Sequence, residues 1–99
     1  MNKFLQLLGL AMRAGKVVSG EELVIREIRA GKAQLVILAE DAKKNTEKKV
    51  SDKCDSYNVP LLRYGARKEL GNAIGKETRV VIAITDRGFA RSFMKLGSK

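Results

Sequence analysis

Two stretches near the start of the chain repeat apolar residues at the spacing of an α-helix. The apolar positions are Phe4, Leu7, Leu8 and Ala11 in the first stretch and Val24, Ile25 and Ile28 in the second. Residues with this spacing share one side of a helix, so each stretch presents one apolar face. Both patterns end in Arg-Ala-Gly-Lys, and a glycine at this point is typical of a helix C-terminus. The sequence therefore predicts two amphipathic helices, which end at Ala14-Gly15 and at Ala30-Gly31.

Other stretches have the composition of β-strands. Leu35 to Ala39 and Val80 to Ile84 are unbroken apolar runs, which predict strands buried on both faces of a sheet. The run from Val59 to Tyr64 contains Pro60, which has no backbone N–H and therefore favours an edge strand. Val17-Val18 predicts a further, very short strand. Helical crossovers favour parallel pairing, and an antiparallel orientation is left open for the short strand alone.

Two more helices are predicted between the later strands. Asn45 or Thr46 is a candidate N-cap for a helix that runs to Tyr57, because short polar side chains accept hydrogen bonds from the first backbone N–H groups of a helix. A short helix over 66–74 follows the edge strand. It is predicted to end at Gly75, since glycine tolerates the left-handed conformation that closes a helix.

A last helix is predicted to start after Asp86 and to carry Phe89, Phe93 and Met94, with a loose tail over 97–99. Helices and strands thus alternate along the whole chain. This order predicts an α/β fold, a three-layer α/β/α sandwich whose central mixed sheet has about four strands. No stretch reads as a linker, and we expect residues 1–99 to form a single domain.

The charge of the chain bears on its binding partner rather than on its fold. Among its 99 residues are 20 Lys and Arg against 11 Asp and Glu, which gives a formal net charge of +9 at pH 7. Such an excess on a small domain is typical of a protein that binds nucleic acid. Solubility, or attraction to any acidic surface, would produce the same composition, so charge alone leaves these alternatives open.

Composition also argues against several classes of chemistry. The chain has no histidine and a single cysteine, Cys54, so a Cys-His or Ser-His nucleophile, an internal disulfide and a thiolate metal cluster are all ruled out. Cys54 falls in a helical pattern and is interpreted as a small buried residue. No segment approaches the roughly 20 apolar residues of a membrane span, and the N-terminal apolar stretch is interpreted as the first helix rather than a signal peptide. We therefore expect a cytoplasmic, non-enzymatic protein without a cofactor or a metal.

Two short motifs are candidate ligand sites. The run from Gly9 to Val17 superficially resembles a phosphate-binding loop, but its glycine spacing is wrong and it lies inside a predicted helix. Glu40 and Asp41 follow a buried strand, where a pair of carboxylates is a candidate for Mg²⁺. A solvated loop or a cap explains the same two residues and is favoured.

Three regions are expected at one end of the sheet. They are Ser19–Glu22, where Ser19 and Glu22 have the spacing of a capping box, the loop Glu40–Lys44, and the loop Gly75–Arg79. Basic residues expected to flank them are Lys16, Arg26, Arg67, Lys76 and Arg79. A helix N-terminus offers unpaired N–H groups and a partial positive charge, which suit phosphates or base edges. Caps and solvated charges are the equally weighted alternative.

A resemblance favours the first interpretation. The pattern G-x-x-x-x-x-[KR], then "GKAQLVILAEDA" and finally "ELGNAIGKETRVVIAI" together resemble the kink-turn RNA-binding ribosomal protein family, which includes small bacterial members. The similarity spans about residues 13–90, and the ordered combination of blocks is more specific than any one of them. The resemblance implies an α/β/α sandwich that places the start of its second helix in the widened major groove of a bent RNA, against sheared G·A pairs. The loop before the last strand then covers unstacked bases.

Residue by residue, the resemblance places the family's glycine on Gly20, its usual asparagine on Glu22, its next acidic residue on Leu23 and its lysine on Arg26. A basic residue ahead of Leu-Gly in the fourth helix falls on Arg67. The expected RNA contacts are Lys16, Gly20, Glu21, Glu22, Arg26, Arg67, Lys76, Glu77, Thr78 and Arg79.

Three departures from the family pattern bear on affinity. Glu22 can accept hydrogen bonds from guanine N–H groups but, unlike asparagine, cannot donate, and phosphates repel its charge. Leu23 offers no polar contact. Arg79 makes the loop more basic, which exchanges base cover for a phosphate contact. These changes predict weaker binding or a different RNA.

Two functions therefore remain open. The favoured one is a monomeric RNA-binding module that stabilises a kink in structured RNA, in the ribosome or associated with it, with ribosomal proteins as further candidate partners. The alternative is a protein-interaction adaptor on a ribonucleoprotein, which keeps the fold and has lost the RNA site. The Glu22-Leu23 pair is the feature that supports the adaptor.

Overall fold

The computed structural model describes residues 2–97, and the predicted tail at 98–99 lies outside them. The elements in chain order are α1 (Lys3–Arg13), β1 (Val17–Ser19), α2 (Glu21–Arg29), β2 (Leu35–Leu38), α3 (Lys44–Ser56), β3 (Leu61–Arg63), α4 (Arg67–Ala73), β4 (Val81–Ile84) and α5 (Arg87–Gly97). Every helix and strand predicted from the hydrophobic pattern is present. The tail was predicted to begin at Gly97, but Gly97 is the last residue of α5.

The four strands form one mixed sheet in the order β1-β4-β2-β3. β2 and β3 are parallel, as the helical crossover between them predicts, and β3 is an edge strand, as Pro60 predicts. β4 runs antiparallel to both β1 and β2, so the expectation of a parallel β4 was wrong. The reason lies in the connection: after the short helix α4 the chain turns back, and Arg79 N donates to Arg67 O at 3.0 Å. The chain therefore re-enters the sheet at the end from which β3 left it.

Apolar side chains cover both faces of this sheet, which confirms the three-layer α/β/α sandwich. One core lies between the sheet and helices α1, α4 and α5 and contains Phe4, Leu8, Leu70 and Phe93. The other lies between the sheet and helices α2 and α3 and contains Val24, Ile28, Val50 and Cys54. All residues of β2 and β4 are buried, because these two central strands have helices on both faces.

Glycines correctly predicted where α1 and α2 end, whereas a polar side chain did not correctly predict where α3 begins. Gly15 and Gly31 have φ values of 75° and 74° just beyond the ends of α1 and α2, as the repeated tetrapeptide predicts. The predicted cap of α3 was wrong: its N-cap is Lys43, whose side chain makes no capping bond, and Thr46 lies inside the first turn. The Thr46 hydroxyl donates to Glu21 Oε1 at 3.2 Å instead, so a contact with α2 replaces the local one.

Asp86 provides a direct test of helix capping in this fold. Its Oδ2 accepts a hydrogen bond from Phe89 N at 2.9 Å, which confirms the predicted cap of α5. We expect Asp86→Ala to lower the free energy of unfolding by about 1 kcal/mol, because it leaves an N–H group of the first turn without this partner. Asp86→Asn keeps an acceptor oxygen and is the matched control, with a loss of a few tenths of a kcal/mol at most. Urea unfolding followed by circular dichroism measures both, and equal losses would contradict the capping role.

Candidate RNA-binding surface

The strand register brings the three candidate regions to one end of the sheet. Ser19, the last residue of β1, pairs with Ile82 near the start of β4, and Gly20 N donates to Val81 O at 3.0 Å. Leu38, the last residue of β2, pairs with Val81 on one side and with Arg63 on the other. Four segments therefore lie at the same end of the sheet: the start of α2, the loop after β2, the start of α4 and the loop before β4.

The first helix end at this surface is the start of α2, and it has no side-chain cap. The predicted capping box was wrong, because the N-cap is Gly20, whereas Ser19 is the last residue of β1. Gly20 has φ 98° and ψ 143°, a backbone conformation that is essentially restricted to glycine. A Cβ atom built at Gly20 would meet no atom within 4 Å, so the space in front of this helix end is open. The positive end of the α2 dipole thus faces that open space.

The side chains of the first turns of α2 point in two directions. Glu21 faces α3, where its carboxylate accepts from Lys49 Nζ at 2.8 Å and from Thr46 Oγ1 at 3.2 Å. The bond from Lys49 holds the pKa of Glu21 below its usual value, so the contact is present at neutral pH and is lost as the pH falls through that pKa. Glu21 therefore joins α2 to α3 and is set apart from the exposed side chains of Glu22, Leu23 and Arg26.

The loop before β4 is tied to the start of α2 by one arginine. Arg79 Nε donates to Ser19 Oγ at 3.0 Å, and its Nη1 donates to Thr78 O at 2.7 Å. The same hydroxyl that the capping box required is therefore the acceptor for a residue 60 positions away. Lys76, Glu77 and Thr78 are exposed along this loop, while Arg79 is half-buried.

The loop after β2 is tied to the start of α4 by a second arginine. Arg67 N donates to Asp41 Oδ1 at 3.0 Å, and its guanidinium lies 3.5 Å from Asp41 Oδ2 and donates to Asp41 O at 2.6 Å. Asp41 thus acts as a cap and ion-pair partner, and the described residues contain no group of three or more His, Cys, Asp or Glu that could hold a metal ion. Because both side chains remain partly exposed, Arg67 still presents charge at the surface.

Gly71, which is not among the residues predicted for the site, positions the loop before β4. A Cβ atom at Gly71 would lie 2.6 Å from Thr78 Cα and 2.8 Å from the Glu77 carbonyl carbon, closer than real contacts permit. Only a residue without a side chain lets the backbone of α4 approach the loop in this way. Gly71 O also accepts from Lys76 N at 2.8 Å around Gly75, which has φ 77°. The signal in the sequence was a glycine inside a predicted helix, which often marks close packing.

One predicted site residue lies elsewhere. Lys16 precedes β1, and its carbonyl accepts from Thr85 N at 3.0 Å, beyond the last residue of β4. That is the opposite end of the sheet, so the expectation that Lys16 flanks the three regions was wrong. Lys43, Lys44 and Lys68 take its place, since they lie in or beside the loops at the candidate end and are exposed.

The remaining candidate for reactivity is Cys54. Burial raises the pKa of its thiol to about 11, so the thiol stays protonated near neutral pH and is a poor nucleophile. This agrees with its interpretation as a buried packing residue of α3. Among helices of the described residues, none has the length and apolar composition that crossing a membrane requires.

Fold and surface together define a small basic α/β/α protein with a preformed surface at one end of its sheet. The model of the Ribosomal protein L7Ae/L30e/S12e/Gadd45 family matches residues 2–94. The chain belongs to this family, which confirms the resemblance seen in the sequence.

Three known proteins illustrate the relationship. The chain is 60% identical over 90 residues to "RNA-binding protein YlxQ" of Bacillus subtilis (strain 168), covering 91% of this chain and 90% of that protein. It is 32% identical to "Large ribosomal subunit protein eL8" of Thermoplasma volcanium, covering 87% and 72% of the two chains. The solved structure described as "Giardia lamblia 15.5kD RNA binding protein" superposes with a TM-score of 0.81 over 94% of this chain and 82% of that one. At 23% identity this last match supports the fold alone. The family and the names of its members confirm the prediction of a non-enzymatic protein.

The close packing at Gly71 leads to a prediction about the loop before β4. We expect Gly71→Ala to lower the free energy of unfolding by about 1–3 kcal/mol, because the added methyl group forces helix and loop apart. Amide hydrogen exchange at residues 76–79 should become faster. Asn72→Ala, an exposed neighbour in the same helix, is the control and should change stability by less than about 0.5 kcal/mol. An unchanged exchange rate in Gly71→Ala would show that the helix does not hold the loop.

Proposed function

We propose that the protein binds structured RNA with a kink-turn-like bend, in the ribosome or associated with it, through the end of the sheet where α2 and β4 begin. The observation that carries the proposal is the hydrogen bond from Arg79 to Ser19. It fixes the loop before β4 against the uncapped start of α2, so the two expected RNA contacts form one surface before RNA arrives. The names of the bacterial and archaeal relatives support RNA as the partner and the cytoplasm as the location.

The start of α2 supplies the contacts to the bent helix. Its open N–H groups and dipole attract phosphate or base-edge oxygens, and Gly20 lets the RNA approach the backbone. Glu22 and Arg26 are four residues apart and therefore lie on one side of the helix. In this arrangement the Glu22 carboxylate accepts from guanine N–H groups while Arg26 reaches a phosphate or a base edge. Leu23 lies between them, 47% exposed, and supplies apolar contact only.

The loop before β4 supplies the contacts at the kink. Lys76 extends freely from the exposed part of this loop, and Glu77 and Thr78 offer acceptors and backbone groups to unstacked bases. Arg79 uses Nε and Nη1 within the protein, which leaves its remaining N–H donors for a phosphate. Arg67 keeps one face exposed beside the ion pair with Asp41. The protein on this account acts as a monomer that selects a shape of RNA, because regular A-form duplexes hide their major groove from side chains.

The direct test compares a kinked RNA with a straight one. The protein is titrated calorimetrically into a short RNA that carries tandem sheared G·A pairs beside a three-nucleotide bulge, and into the same RNA with those pairs made Watson–Crick. At near-physiological salt we expect the kinked RNA to bind at least about tenfold more tightly, because the surface matches only the bent form. Both affinities should fall as salt rises, since the phosphate contacts release counterions. Equal affinities for the two RNAs would overturn the proposal.

Arg26 and Arg29 offer a matched pair of substitutions on one helix. Arg26→Gln should weaken binding to the kinked RNA by about 1–3 kcal/mol, because it removes a charged contact near the start of α2. Arg29→Gln makes the same change of charge one turn further from the surface and should cost less than about 0.5 kcal/mol. If the two variants bind the kinked RNA equally, the contact is a general charge effect and α2 is not the reading helix.

Glu22→Asn tests the departure from the family pattern. The substitution removes a charge that phosphates repel and adds two N–H donors, so we expect binding to the kinked RNA to tighten by about 1 kcal/mol or more. Glu27→Asn removes the same charge further along α2 and is the control for net charge. A gain in both variants would indicate a general electrostatic effect, and a loss in Glu22→Asn alone would indicate that Glu22 already makes a favourable base contact.

The second candidate function is a protein-interaction adaptor on a ribonucleoprotein. The exposed pair Glu22-Leu23 favours it, because an acidic and an apolar side chain suit a protein partner better than they suit phosphate. In the comparison above, an adaptor would bind neither RNA tightly at near-physiological salt.

A further inference from the structure

Helices α1 and α5 share an unusual charge distribution. They contain five basic residues, Lys3, Arg13, Arg87, Arg91 and Lys95, and no Asp or Glu. All 11 acidic residues of the chain therefore lie elsewhere, so these two helices account for more than half of its net charge of +9. The nearest carboxylate in sequence is Asp86, which is occupied as the cap of α5. The surface of α1 and α5 is accordingly positive, with the carboxylate of Asp86 as the acidic group at the start of α5.

An apolar groove runs between the same two helices. Cavities of about 370 Å³ and about 260 Å³ share Leu7 and Ser92 and follow α5 from Asp86 to Leu96. At 1.5 Å per residue this is roughly 15 Å, or about three turns of helix. The apolar residues along it are Leu7, Leu10, Phe89 and Leu96. Leu10 is 51% exposed, the largest value for a large apolar side chain among residues 2–97.

Basic side chains stand along this apolar groove. Lys3 and Lys95 line it together with Leu10 and Leu96. A helix that lies in a groove presents apolar anchors to the floor and polar residues to the rim. Acidic residues on the polar side of such a helix would lie beside Lys3 and Lys95. The groove therefore matches an acidic amphipathic helix in both shape and charge.

We propose that the α1–α5 groove is a docking site for an acidic amphipathic helix of a partner protein. The apolar floor separates this partner from nucleic acid, because phosphates would gain nothing from Leu7, Leu10 and Leu96 and would leave them exposed. The groove shares no residue with the surface proposed for RNA, so a protein and an RNA can occupy the molecule together. The protein would then connect an RNA to an acidic protein segment.

The test uses a synthetic probe peptide. It is a capped 15-residue helix-forming peptide with Leu at positions 4, 7, 8 and 11, Glu on the flanking positions and Ala elsewhere, titrated into ¹⁵N-labelled protein at near-physiological salt. We expect saturable shifts confined to amides of α1 and α5. The same peptide with Lys in place of Glu should cause none, because Lys3 and Lys95 beside Leu10 and Leu96 would repel it.

Variants of exposed residues separate groove binding from general attraction. Leu10→Ser should weaken binding of the acidic peptide about tenfold, since it removes an apolar anchor, and Lys95→Glu about threefold. Leu23→Ser and Lys68→Glu make the same changes on α2 and α4 and should leave binding of the peptide unaltered.

Three results would overturn the proposal. The first is the absence of saturable shifts on α1 and α5 up to millimolar peptide. The second is that a plain RNA duplex causes the same shifts at lower concentration, which would make the surface a phosphate site. The third is concentration-dependent self-association in sedimentation velocity that Leu10→Ser abolishes, which would make a second copy of the chain the occupant.

Discussion

The antiparallel pairing of β4 between β1 and β2 is the constraint on which the rest of the structure depends. Because β4 enters the sheet at the end where the other three strands leave it, the loop before β4 and the start of α2 become neighbours. The backbone bond from Gly20 to Val81 and the side-chain bond from Arg79 to Ser19 both follow from that neighbourhood. A parallel β4 would place this loop at the opposite end, and the surface proposed for RNA would not exist.

Two glycines give this end of the sheet its shape, for different reasons. Gly20 is required by the backbone conformation, and the space before it is empty. Gly71 is required by contact, because the loop backbone occupies the place of a side chain. The first keeps the helix end open, and the second holds the facing loop in position. Rigid elements thus present the open backbone groups, which lowers the entropy that binding must otherwise remove.

Hydrophobic patterning predicted the order, type and burial of the elements because those depend on local spacing and on which faces are covered. It could not predict contacts that join distant parts of the chain. Ser19 was predicted to cap α2, yet its hydroxyl accepts from Arg79, 60 residues away. Thr46 and Asp41 likewise use partners 25 and 26 residues distant. In each case a short polar side chain had a plausible local role, and tertiary structure supplied a competing partner that the sequence does not reveal.

The site residues show the same limit. Arg26, Arg67, Lys76 and Arg79 lie at the predicted end, because they belong to α2, to the start of α4 and to the loop before β4. Lys16 was predicted to flank the same regions, and the direction of β1 puts it at the other end of the sheet. Glu21 was predicted to contact RNA at the start of α2, but a helix turns successive side chains by about 100°, and the Glu21 carboxylate accepts a hydrogen bond from Lys49 of α3. The end of the sheet at which a residue lies thus depends on strand direction, and the side to which a carboxylate turns depends on the neighbouring helix; the spacing of charged residues along the sequence gives neither.

The net positive charge of the chain was the first observation that favoured RNA as the partner. The fold weakens that argument, because it shows where the charge is located. More than half of the excess positive charge belongs to α1 and α5, beside an apolar groove that shares no residue with the proposed RNA surface. The proposed RNA surface itself contains carboxylates, among them Glu22, Asp41 and Glu77. Positive charge on that surface therefore belongs to individual side chains and does not extend over the whole of it. Charge summed over a chain cannot distinguish one partner from two, whereas its distribution over the layers can. On the proposed RNA surface the positive charges lie beside the open backbone groups at the start of α2. In the α1–α5 groove they lie beside exposed leucines.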